Sequence, residues 1–118
     1  VDANPDSLAF VTAIAELATR LATDQFVLYG MRYSTDLFGG WECEWGRRRR
    51  RVKVTWEGKD QHLVVATAEL ASGSKERRWQ IVEDHDFRGR QTTIANLMRT
   101  AHAAVAAHAG PRAGLGAA

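Results

Sequence analysis

Residues 41–45 read Trp-Glu-Cys-Glu-Trp, and this alternation constrains the fold more than any other stretch of the chain. A period of two places Trp41, Cys43 and Trp45 on one side of an extended strand and Glu42 and Glu44 on the other, whereas helical spacing would scatter them around the axis. Gly46 follows, and the pattern resumes over 48–57. There Arg48, Arg50, Val52, Val54 and Trp56 share one side, and Arg49, Arg51, Lys53 and Thr55 share the other. Two adjoining amphipathic strands predict an antiparallel hairpin. A two-residue turn at Gly46-Arg47 pairs Trp45 with Arg48, Cys43 with Arg50 and Trp41 with Val52, and sets Glu44 against Arg49 and Glu42 against Arg51. A loop longer by two residues keeps the same parity. Either way the apolar face is continuous and acids meet bases, each such cross-strand pair contributing about 0.2–1 kcal/mol.

The flanking segments follow the same reasoning. Residues 5–22 predict a helix, with Asn4 as its N-cap, Pro5 in the first position, Asp6 in the first turn, and Phe10, Ile14, Leu17 and Leu21 at helical spacing. Residues 26–34 predict a strand that is apolar on both sides, Phe26 and Leu28 on one and Val27, Tyr29, Met31 and Tyr33 on the other. After a turn at Gly58-Lys59, a strand over 61–71 continues the tryptophan face with Leu63, Val65 and Thr67 and turns Val64, Ala66, Ala68 and Leu70 away. Residues 76–83 form the last strand, with Trp79 and Ile81 on one face, and Asp84-His85-Asp86 with Gly89 forms a connection. A helix over roughly 91–109 carries Ile94, Leu97, Met98, Ala101, Val105 and His108 along one stripe and stops at Gly110-Pro111. The predicted class is α+β: helix, antiparallel meander of about five strands, helix, with the helices packed on one face of the sheet over the shared tryptophan face. Small secretion chaperones and RNA-particle proteins share this layout, and no motif ties the sequence to either.

At 118 residues the chain is read as a single α+β domain over 1–109 with a Gly/Ala-rich tail over 110–118. Hydrophobic residues at 45% and charged residues at 25% exclude global disorder. No apolar run approaches the roughly 18 residues of a membrane span. A single cysteine, Cys43, excludes an internal disulfide and a cysteine-based zinc site. The first residues lack a charged start followed by an apolar stretch, and together with the lone thiol this sets the expectation of a cytoplasmic protein.

Charge is unevenly spread. Residues 47–53 hold six cations and no acid, so a chain of formal net charge +2 is left at −4 when they are set aside. A strand presenting Arg47, Arg49, Arg51 and Lys53 together would bind phosphates or an acidic protein surface, because the planar guanidinium grips both. The plainer alternative is a solvated hairpin whose arginines pair with Glu42, Glu44 and Glu57. Arg48 and Arg50 share the apolar side, which places them at its rim or against a buried acid. The strands that are apolar on both sides leave a second face on which Tyr29, Met31, Tyr33, Val64, Ala66 and Leu70 form a protein interface, with a homodimer or another protein as partner.

Catalysis and cofactors find little support. Cys43 reads as a packed thiol, and no nucleophile-elbow, dinucleotide or phosphate-loop motif is present. Asp84-His85-Asp86 has metal-ligand residue types but no second cluster at ligand spacing, so neither a metal nor any other cofactor is expected. The four tryptophans read as core, with a ligand pocket between helices and sheet as the alternative. The function read from the sequence is a small non-enzymatic protein-binding module in an adaptor, chaperone-like or inhibitor role. The alternatives are a nucleic-acid-binding protein using the Arg47–Lys53 strand, and a small-molecule binder or enzyme with a Trp-lined pocket.

Overall fold

Phe10, Ile14, Leu17 and Leu21 fall on one stripe of the first helix and are all but inaccessible to water. This helix, α1 (Ser7–Ala22), belongs to a computed structural model that describes residues 7–34, 40–70, 78–90 and 92–108. The predicted capping residues Asn4, Pro5 and Asp6 and the predicted 110–118 tail lie outside the described residues. At its C-terminal end the amides of Asp24 and Gln25 donate to the carbonyls of Leu21 and Ala22, each at 3.0 Å, and Gln25 takes a left-handed φ of 70°. That turn reverses the chain into the sheet.

Five strands follow in sequence order: β1 (Val27–Ser34), β2 (Gly40–Arg47), β3 (Arg50–Glu57), β4 (His62–Glu69) and β5 (Gln80–Asp86). They form one antiparallel meander in which every neighbour in sequence is a neighbour in space. The second helix, α2 (Ile94–His108), buries Leu97, Met98, Ala101, Ala104 and Val105. Both helices contribute to one core with Trp41, Cys43, Trp45, Val52, Val54, Trp56, Leu63 and Val65. The architecture is therefore α+β with both helices on one sheet face, as the sequence predicts. No described helix is long and apolar enough to cross a membrane.

Three details depart from the sequence reading. First, the hairpin turn is Arg48-Arg49, not Gly46-Arg47: Trp45 pairs with Val52, Cys43 with Val54, Trp41 with Trp56, and Arg47 with Arg50. Glu44 therefore faces Lys53 and Glu42 faces Thr55. Parity is unchanged, but the slip replaces arginines opposite Trp45 and Cys43 by valines. Buried aromatic and β-branched cross-strand pairs outweigh the acid–base pairs of the expected register. Second, the β1–β2 ladder breaks between Leu28 and Gly30, leaving Tyr29 as the bulged residue. One extra residue inverts the alternation beyond it, so Met31 pairs with Cys43 and Tyr33 with Trp41, on the helix-covered side. Tyr33 packs its ring 5.3 Å from that of Phe10. Third, Asp84-His85-Asp86 is not a connection but the end of β5, paired with Val64, Leu63 and His62 in turn. A second bulge, at Val82, turns that side chain toward the core.

Candidate functional site

The arginine run does not form one surface. Arg47 continues the Trp41–Cys43–Trp45 side, is 5% exposed, and donates from Nη1 to the Asp24 carbonyl at 3.2 Å while its guanidinium lies 4.3 Å from the Phe26 ring centre. It thereby ties the hairpin to the turn that ends α1. Arg51 points to the opposite side and is 7% exposed. Its Nη1 donates to the carbonyls of Arg48 and Arg50 at 2.9 and 3.1 Å, its guanidinium stacks 3.8 Å from the Tyr29 ring centre, and Glu44 approaches Nε at 3.9 Å. Arg50, on the helix side, reaches the end of α2, where Nε donates to the His108 carbonyl at 2.9 Å, with Glu69 at 3.9 Å. Arg48 and Arg49 are exposed at the turn, Arg48 with a φ of 58°. Lys53 lays its ammonium 4.4 Å from the Trp79 ring centre. The expectation that Arg47, Arg49, Arg51 and Lys53 stand together is thus corrected. The turn splits them between faces, and two of them are consumed in closing the fold.

Neither described helix covers the other sheet face. Alternation from the register places Arg32, Glu42, Glu44, Arg51, Lys53, Thr55, Glu57, His62, Asp84 and Asp86 there, with Val64, Ala66 and Ala68 on β4 as an apolar strip of which the two alanines are buried. Tyr29 and Ile81 stand on this face at 50% and 66% exposure. Trp79 joins it beneath Lys53, so only three of the four tryptophans lie under the helices, because the register of β5 on β4 sends Ile81 to the side of Ala66. Of the predicted interface residues, Tyr29, Val64 and Ala66 fall here. Met31 and Tyr33 fall on the other side for the reason given above. Leu70 sits just beyond β4, its amide donating to the Arg49 carbonyl at 2.9 Å. Ile81 and Trp79 were missed as members of this face. Alternation set them together correctly, but only the register decides which side they share.

Polar clusters sit at both sides of β5. On the open face His62 Nδ1 and Asp84 Oδ1 are 2.8 Å apart, and the same ring lies 3.7 Å from Asp86. The hydrogen bond to Asp84 raises the His62 pKa. Arg88 forks onto Asp86 at 2.9–3.3 Å and draws that carboxyl down to about 2. Under α2, Glu83 bridges two imidazoles, His85 Nε2 at 2.6 Å and His108 Nε2 at 2.5 Å. Burial pushes the Glu83 carboxyl up, but those two hydrogen bonds prevail and hold it below the ordinary value. Among the described residues no three His, Cys, Asp or Glu side chains are grouped so as to hold a metal ion.

The remaining candidates are quickly placed. Cys43 is buried, accepts the Trp45 indole N–H at 3.1 Å, and has its thiol pushed up to about 12 by burial, so it is not an activated nucleophile. A cleft of about 400 Å³ separates the helices over Ala13, Leu17, Ile94 and Met98, rimmed by Glu16, Arg20 and Arg99. A second, of about 520 Å³, lies where Arg32, Trp41, Glu42, Thr55, Trp56 and Lys59 converge at one end of the sheet. Trp41 and Trp56 do line a cleft, but beyond the sheet's end, not between helices and sheet. Compared with known proteins, the chain matches no protein-family model, no curated protein and no solved structure.

Proposed function

We propose that this chain is a protein-binding module, adaptor-, chaperone- or inhibitor-like, that binds through the sheet face that neither described helix covers. The observation that carries the reading is that face itself. It spans all five strands, and at its two edges Tyr29 on β1 and Ile81 on β5 stand at least half exposed, while Ala66 and Ala68 on β4 between them are buried. A helix-free face with large apolar groups out in water is the signature of an interaction surface. The cations of 47–53 support this reading over nucleic acid, since Arg47 and Arg51 are spent on intramolecular carbonyls and ring faces and the carboxylates of Glu42, Glu44, Glu57, Asp84 and Asp86 share the open side. A cytoplasmic setting is proposed with it, in keeping with the single free thiol.

The test is capture from an extract of the source cells on immobilised protein. Wild type and a helix-side control, Leu8→Glu, should retain the same polypeptide, this chain itself included. The open-face variant Tyr29→Glu/Ile81→Glu should lose it. Retention by all three proteins alike, or by none, overturns the reading.

A further inference from the structure

Following the ladders across the open face gives rows of residues at equal height. One row reads Arg32, Glu42, Thr55, Val64, Asp84, and the next reads Gly30, Glu44, Lys53, Ala66, Ile81. Beyond them come Val27, Gly46, Arg51 and Ala68, with Tyr29 bulged beside the first and Trp79 preceding β5 at the far edge. The edges are unlike: β1 presents a cation and a glycine with open space above it, and β5 presents acids and a projecting apolar group. Arg32 is exposed over three-quarters of its side chain and touches Glu42 only at 3.9 Å, while Asp84 on the far edge is half exposed. At Gly30 nothing lies within 4 Å of the place a Cβ would take, whereas Ile81 in the same row stands 66% exposed.

We infer that the occupant of this face is a second copy of the chain, packed sheet to sheet about a two-fold axis parallel to β3. The inference rests on the open face being the binding face. A rotation about that axis keeps heights and exchanges edges. It therefore sets Arg32 over the second copy's Asp84, Gly30 over its Ile81 and Tyr29 toward its Trp79, and repeats each pairing on the other side. Glu42 comes to the side of Val64 and Glu44 to that of Ala66, so the acids of β2 meet apolar residues, and only Glu57, exposed at the end of β3, comes opposite its own copy.

On the axis β3 stacks on its own copy. There Arg51 is drawn off toward Tyr29 of β1 and screened by Glu44, and Lys53 is drawn off toward Trp79 beside β5. The other in-plane two-fold, running across the strands, lays each strand on itself. It sets Glu44 on Glu44 and leaves Arg32 and Asp84 without each other. Five strands of about eight residues cover roughly 24 by 26 Å, or roughly 1,200 Å² counted over both copies, enough for a specific interface between aligned sheets.

The experiment is light scattering on eluting protein across micromolar concentrations, with circular dichroism to check that each variant is folded. Arg32, Asp84 and Ile81 are surface residues, so their variants keep the core intact. Wild type should run at twice its 13.1 kDa chain mass. Arg32→Asp and Ile81→Glu should each weaken self-association by about tenfold or more. The charge exchange Arg32→Asp/Asp84→Arg should recover most of the loss, because both symmetry-related pairs are restored. A monomeric wild type overturns the inference. So does a dimer indifferent to both single variants, or an exchange variant no better than Arg32→Asp alone. A monomer whose capture of another protein still depends on Tyr29 and Ile81 overturns only the second copy as occupant and leaves the open-face reading standing.

Discussion

Arg50 Nε donates a 2.9 Å hydrogen bond to the backbone carbonyl of His108, joining the hairpin strand β3 to the last turn of α2. That carbonyl is among those a helix leaves without an internal partner, and a cation there also meets the negative end of the helix dipole. The same His108 offers its ring to Glu83 on β5, so the end of α2 is held at two points on the sheet.

Replacing Arg50 with methionine keeps the apolar stem and removes the donor. Arg50→Met should lower unfolding free energy by about 1–2 kcal/mol in urea denaturation. The loss should appear as a lower midpoint at unchanged slope. The exposed Arg49→Met, in the same hairpin, should stay within about 0.5 kcal/mol of wild type.

Gly46 is needed for its lack of a side chain. A Cβ there would lie 2.6 Å from Arg51 Nη1 and 2.7 Å from the Tyr29 ring, and both groups are stacked on each other. Gly46→Ala should destabilise by roughly 1–3 kcal/mol, the usual cost of overpacking. In contrast, Arg48→Gly relieves a left-handed φ of 58° and should be neutral or stabilising by up to about 1 kcal/mol. Thermal melts of the two variants should move in opposite directions.

The Cys43 thiol, buried and pushed up to about 12, should not react with a disulfide reagent at mildly alkaline pH while the protein is folded. Reaction should follow the rate of unfolding, and adding urea through the transition should release one thiol per chain. Fast reaction in the native state would show the strand to be open at its centre.

Stability should depend on pH at both ends of the neutral range. Glu83 has a folded pKa below its ordinary 4.5, so its contribution is present above that value and is lost as pH falls through the folded value. His62 is raised above 6.5, so its contribution is full below 6.5 and is lost as pH rises through the folded value. Urea midpoints measured against pH should flatten on the acid side in Glu83→Gln and on the alkaline side in His62→Gln, each variant leaving the other limb in place.

Part of this architecture is legible in the sequence. Phe10, Ile14, Leu17 and Leu21 were found from their spacing alone, because a helix buries one stripe whatever it packs against. The Trp41–Cys43–Trp45 side was found from alternation, and the five-strand meander from turn residues between apolar runs. What failed was the candidate site. Counting through Tyr29 puts Met31 and Tyr33 on the open face, but the bulge at Tyr29 turns both to the helix side, where Tyr33 packs on Phe10 and Met31 remains half exposed. Arg47 and Arg51 were read as exposed partners on one strand, and the turn at Arg48-Arg49 set them on opposite faces and buried both.

Which residues alternate, which recur at helical spacing, and hence the order of elements and most of the core, can be read directly along the chain. Those are properties of neighbours along the chain. How far each strand slides past the next, where an extra residue is bulged, and which cations reach a ring or a carbonyl depend on contacts made across the fold. Registers of equal parity are indistinguishable to a local pattern. The choice among them is made by contacts such as Trp45 with Val52 and Arg51 with Tyr29, whose partners are brought together only when the sheet has closed against its helices.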